Sequence, residues 1–170
     1  EWRTPWSQQV LVPAGFVVET EPSGDVLIYP GGDTTAPPSG RMPSNGYFFD
    51  TIVRQPPIDD STLNPADNTE EFQPISDEDL AYFGRRAREA AATGRGVIAT
   101  FGGTAFGDIA LVPAPFLKHP KGIRDIAEWY VSTVIRKDYV HAVFERQCEV
   151  ALGNLQRICG VVGDLVGAVF

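Results

Sequence analysis

At 170 residues and 43% hydrophobic composition, the chain is long enough to bury a core of ordinary domain size. Its formal net charge of -8 argues against a nucleic-acid surface. It contains no run of about 18 apolar residues that would cross a membrane as a helix, and the opening Glu1-Trp2-Arg3-Thr4-Pro5 lacks the basic-then-apolar pattern of a secretory leader, so a cytoplasmic setting is expected.

The chain opens at Glu1 and closes inside an apolar run, residues 165–170, that reads as a buried strand. These features predict an interior piece of a larger enzyme. Residues 1–75 are rich in proline, glycine and aromatic side chains. Within them, residues 16–20 and 26–29 flank Glu21-Pro22-Ser23-Gly24-Asp25, which predicts a β-hairpin. Beyond it Pro37, Pro38, Pro43, Pro56, Pro57, Pro65 and Pro74 rule out long helices, so the segment reads as loop, with only residues 47–53 able to pair or pack. Arg41 lies between Pro38 and Pro43, just ahead of Tyr47, Phe48 and Phe49. A guanidinium in so stiff a loop is a candidate two-point clamp for a substrate carboxylate, weighed against an ordinary surface arginine.

The charge has one address. Between Arg54 and Arg85 there is no basic residue, but there are eight acids: Asp59, Asp60, Asp67, Glu70, Glu71, Asp77, Glu78 and Asp79. The remaining fourteen acids are matched by fourteen bases. This segment reads as a solvated loop, with the docking of a basic partner as the alternative. It is not an EF-hand, because the alternate positions after Asp59 run Ser61, Leu63 and Pro65.

Helical patterning begins at Ser76, an N-cap with Asp79 three residues on and Ile75 and Leu80 placed for a hydrophobic staple. Leu80, Phe83, Ala87 and Ala91 mark the apolar stripe, and Gly94 is the expected stop. A strand is predicted over residues 97–101, helices over 123–135 and 137–160, and a last strand over 165–170. The order helix, strand, helices, strand implies parallel strands joined by a helical crossover.

Functional loops of parallel crossover units lie at the carboxyl ends of the strands. That rule points to Gly102, Gly103, Thr104, Ala105, Phe106, Gly107 and Asp108, where glycines would let a ligand approach the backbone. The turn is not a phosphate-binding loop, since Asp108 stands where the lysine belongs, and a simple strand-to-helix turn is the alternative. Cys148 and Cys159 lie in one helical pattern about 16 Å apart along the axis, too far to bridge or to share a metal. Both are expected on the apolar stripe of Val140, Phe144, Ala151, Leu155 and Val162, as buried thiols in a reducing compartment rather than reactive ones. His119 and His141 have no serine or cysteine partner at a recognisable spacing and read as structural or solvated.

Four segments, APPSGRMPSNGYFFD (36–50), PISDEDL (74–80), FGGTAFGDIALVPAPFLKHP (101–120) and GIRDIAEWYVSTVIRKDYVHAVFERQ (122–147), resemble the uroporphyrinogen decarboxylase superfamily, in a branch of corrinoid-linked methyltransferases. The resemblance implies a partial (β/α)8 barrel of the TIM type, here two strands and their helices over residues 76–170. Residues 1–75 would then form a hairpin and proline-rich elaboration over the barrel mouth. It implies methyl transfer involving a corrinoid protein and a small methylated substrate or thiol, with tetrapyrrole decarboxylation or a non-catalytic binding module as alternatives. The arginine-rich segment with which the decarboxylases grip substrate carboxylates has no counterpart here. Nor do Cys148 and Cys159 match the His and two Cys that hold zinc in the methyltransferases, so no metal is assigned to this chain. The substrate-binding candidates are Arg41, Gly102, Gly103, Thr104, Phe106 and Asp108; of these, those in the loop 101–108 fall where the superfamily borders its active-site cavity.

Overall fold

The structure, a computed structural model, describes residues 1–104 and 112–169. It is mixed α/β, with three α-helices and several small sheets among the described residues, none of which closes into a barrel. The chain divides into two compact units, Glu1–Asp59 with Ala110–Trp129, and Asp60–Ile109 with Tyr130–Phe170. The division falls elsewhere than the change in composition near residue 75, because residues 60–75 pack on a helix of the second unit.

The first unit is antiparallel. Strands β1 (Trp2–Arg3) and β2 (Gln9–Val10) pair around a turn in which Thr4 Oγ1 accepts from the Gln8 amide at 2.9 Å. The expected hairpin is present as β3 (Val18–Thr20) and β4 (Val26–Ile28), closed by hydrogen bonds between Glu21 and Asp25 and from Gly24 to Glu21, both 2.8 Å. The sheet then continues with β5 (Gly40–Met42), where the prolines predicted loop, pairing with β4, and with β6 (Asp50–Thr51), inside the stretch 47–53 expected to be able to pair, pairing with β5 to give a four-stranded meander. Prolines are tolerated because they lie outside the paired residues, where no ladder donor is lost. Alternation then buries Gly40 and Met42 and turns Arg41 outward. Trp2, Phe16 and Phe49 cluster with ring centroids 5.4–6.3 Å apart.

Further along, Arg54 donates to the carbonyls of Leu117 (2.5 Å) and Ala114 (2.6 Å), and Gln55 Oε1 accepts from the Arg124 and Asp125 amides. These bonds hold the stretch that leads into α2 (Ile126–Ile135). The helix starts three residues later than periodicity predicts, because the Asp125 carboxylate accepts from the Glu128 amide at 2.9 Å and serves as the N-cap.

In the second unit, α1 (Asp77–Ala91) begins as expected: Ser76 Oγ accepts from the Asp79 amide at 3.0 Å, and three acids occupy the positive end of the dipole. Strands β7 (Ile98–Ala99) and β8 (Ala168–Val169) form a parallel pair, and the connection between them includes α2 and α3 (Lys137–Val162). Leu80, Ala87, Phe101, Ile158 and Val162 form the core, with Ile75, Phe83, Ala99, Leu165 and Val166 packed around it. Phe101 meets Phe83 edge-on at 5.0 Å. Burying one such ring stabilises the fold by roughly 1.5–3 kcal/mol.

The buried meridian of α3 runs Val140, Val143, Gln147, Ala151, Asn154, Ile158, Val162. The thiols do not lie on it: Cys148 is half-buried and Cys159 is exposed. Each follows a meridian residue by one position, which rotates it about 100° around the helix. The apolar stripe is offset because Gln147 and Asn154, polar in sequence, are buried. No helix among the described residues is long and apolar enough to cross a membrane.

Candidate functional site

The glycine turn follows β7 after Thr100 and Phe101. Gly102 is exposed and Gly103 half-buried. Gly103 has φ +74°, a left-handed conformation that a β-carbon would strain. Space adds a second constraint, since a β-carbon there would lie 2.9 Å from Asn154 Nδ2. Next to it, Thr104 Oγ1 donates to the Phe101 carbonyl at 2.9 Å, so this hydroxyl closes the turn on itself.

Asn154 fixes the turn in place. It is 1% exposed, and its Nδ2 donates to Gly103 O at 2.8 Å and to Gln73 O at 3.2 Å, while its Oδ1 accepts from the Ile75 amide at 2.8 Å. One side chain of α3 thereby ties the end of β7 to the lead-in of α1. Sequence reasoning missed it because asparagine in a helix reads as solvated. The available signal was spacing: Gln147 and Asn154 are seven residues apart, two turns, on the same face as Val140 and Ala151.

Beside this turn, a cleft of about 280 Å3 lies between α1 and the parallel pair. Its walls include Phe83, Ala99, Thr100 and Phe101, and it does not reach Gly102, Gly103 or Thr104. Arg86, at its rim, is engaged by Glu89 at 2.6 Å. Of the remaining loop candidates, Phe106 and Asp108 lie outside the described residues.

Arg41 sits in the other unit, on the outer face of β5. Its guanidinium donates to Asp25 Oδ2 and stands 3.9 Å from Glu21. The Asp25 carboxyl is held below the ordinary aspartate range, first by the Ser44 amide, which donates to it at 2.8 Å, and then by Arg41. A substrate carboxylate at Arg41 would therefore have to displace an existing ion pair. Asp33 is likewise held low, by the Lys118 ammonium and then by the hydroxyl and amide of Thr35.

The acidic segment is answered within the chain. Arg136 donates to Asp60 at 2.5 Å, Arg146 to Thr69 Oγ1 at 2.9 Å, and Arg157 to Asp77 at 2.6 Å. Arg146 and Arg157, eleven residues apart in α3, share one side of it, and Arg136 is its N-cap residue. Asn68 and Thr69, in the 3-10 turn Pro65–Thr69, are buried, with Tyr139 donating to Asn68 Oδ1 at 2.6 Å. His119 and His141 are exposed. No group of three metal-ligating side chains comes together among the described residues. No family model, curated protein or solved structure matches the chain.

Proposed function

We propose that the chain is part of a cytoplasmic uroporphyrinogen-decarboxylase-like (β/α)8 barrel enzyme that transfers a methyl group between a small methylated substrate, a corrinoid protein and a thiol. The reading rests on the sequence resemblance of residues 36–50, 74–80, 101–120 and 122–147. One structural observation supports it: a parallel strand pair is joined through helices, and a left-handed glycine turn sits at the carboxyl end of the first strand. That is where the parallel-strand rule puts ligand contacts.

In this reading Gly102, Gly103 and Thr104 line the substrate cavity with backbone. The described surroundings leave open space beside Gly102, so a ligand can approach the main chain there. Asn154 is a positioning residue that holds the turn. The described residues do not fit a zinc site, because Cys148 and Cys159 lie about three helical turns apart and no third ligand joins either. No step is therefore routed through zinc on this chain, and the proposal gives that ion and the corrinoid to other parts of the assembly.

The test mixes the full-length protein with a corrinoid protein reduced to Co(I) and a panel of methylated amines, ethers and thioethers. Donor-dependent loss of the Co(I) absorbance is expected. Carbon dioxide release from uroporphyrinogen with no change at cobalt would move the assignment to decarboxylation, and neither signal would leave a binding role.

A further inference from the structure

The first unit encloses a second cavity, of about 310 Å3, that the proposed methyl transfer does not use. Its floor is set by two glycine backbones in direct apposition. A β-carbon on Gly15 would lie 2.9 Å from the Gly31 carbonyl oxygen, and one on Gly32 would lie 2.3 Å from the Gly15 oxygen. Only glycine permits this approach. Phe16, Ile28, Tyr29, Pro115 and Phe116 form the walls. Phe116 is 63% exposed, so the cavity opens to solvent on that side.

The lining carries no charge. Its one ionisable side chain, Tyr29, turns its hydroxyl away onto Glu19 at 2.6 Å and leaves the ring to the wall. Ser39 is the other polar side chain, and it is 2% exposed. Its backbone is fully used, the amide donating to Ile28 at 2.9 Å and the carbonyl accepting from Ile52 at 3.0 Å. The hydroxyl has no hydrogen-bond partner among the described residues. Ser39 lines the open cavity, so an oxygen-bearing ligand that enters it could supply the partner this hydroxyl lacks.

We propose that this cavity is a binding site for a small neutral aromatic molecule bearing one hydrogen-bonding oxygen, with the ring between Phe16, Tyr29 and Phe116 and the oxygen on Ser39. The volume lies at the low end for small-molecule sites and excludes a peptide helix or a tetrapyrrole. The absence of charge disfavours carboxylates and phosphates. The proposal is independent of the methyl-transfer reading.

The test titrates the full-length protein with p-cresol, and with toluene as the same ring lacking the hydroxyl, while following the NMR signals of Phe16, Tyr29 and Phe116. Saturable p-cresol shifts confined to these residues are expected, with toluene about threefold to tenfold weaker. Ser39→Ala, which keeps both backbone bonds, should bring p-cresol down to the toluene affinity and leave toluene unchanged. Phe116→Ser, at an exposed position, should weaken both compounds. The absence of a saturable shift, as when another segment of the protein fills the cavity, overturns the proposal. So does equal p-cresol affinity in the wild type and Ser39→Ala.

Discussion

Asn154 satisfies two carbonyls and one amide from three different stretches of chain while being 1% exposed. Replacing it with leucine keeps the size but leaves those groups buried and unpaired. Asn154→Leu should therefore lower stability by about 2–4 kcal/mol. Urea denaturation checks this, and a loss under about 0.5 kcal/mol would show that the turn is held by other means. The carboxyls of Asp25 and Asp33 make a separate case. Both are held below the ordinary value of 3.8, so the unfolded chain binds protons more readily than the folded one. Their stabilisation is complete above that value and is lost as pH falls through the depressed folded values. Denaturation midpoints should drop between about pH 5 and pH 2, and the double variant Asp25→Asn, Asp33→Asn should show a shallower drop. An unchanged slope would mean that other carboxylates carry the acid sensitivity.

Helix α3 organises its unit by facing three ways. One meridian enters the core, one side meets residues 60–79 through Arg146 and Arg157, with Arg136 at the N-cap reaching Asp60, and a third carries the thiols. The Arg157–Asp77 ion pair is exposed, and exposed pairs contribute about 0–1 kcal/mol each, so its role is to settle where the acidic segment lies more than to hold the fold. The thiols give a cleaner test. Cys159 should react with an aromatic disulfide reagent well before half-buried Cys148, because access differs. Under non-reducing mass spectrometry no link between them should form, since a helix holds them about 16 Å apart. A Cys148–Cys159 disulfide would mean that α3 is not continuous.

At the scale of the molecule, two antiparallel sheets share the chain with one short parallel pair. Ile98 of β7 and Val169 of β8 are exposed, and among the described residues neither strand has a second neighbour. Parallel strands are rarely left open in this way. Residues 1–170 produced alone should therefore self-associate in a concentration-dependent manner, read by sedimentation velocity. A monodisperse monomer with a sharp melt would count against the partial-barrel reading.

Local interactions were legible in the sequence. The Ser76 cap, the hairpin around Glu21–Asp25, and the order of helices and strands that implies a parallel pair all follow from neighbours within a few residues, or from periodicity over long segments. Strands of two or three residues are too short to show alternation, so β5 was invisible until its partners were in place, and residues 47–53, which contain β6, could be read only as able to pair or pack. The same holds for the site. Gly102, Gly103 and Thr104 could be picked out by their place after a strand, whereas Asn154 became part of it through bonds to residues 51 to 81 positions away. Tertiary structure alone decided the partner of Arg41, the exposure of Cys159 and the cavity at Ser39. Each depends on which distant segments meet, and residue identity at a single position does not encode that.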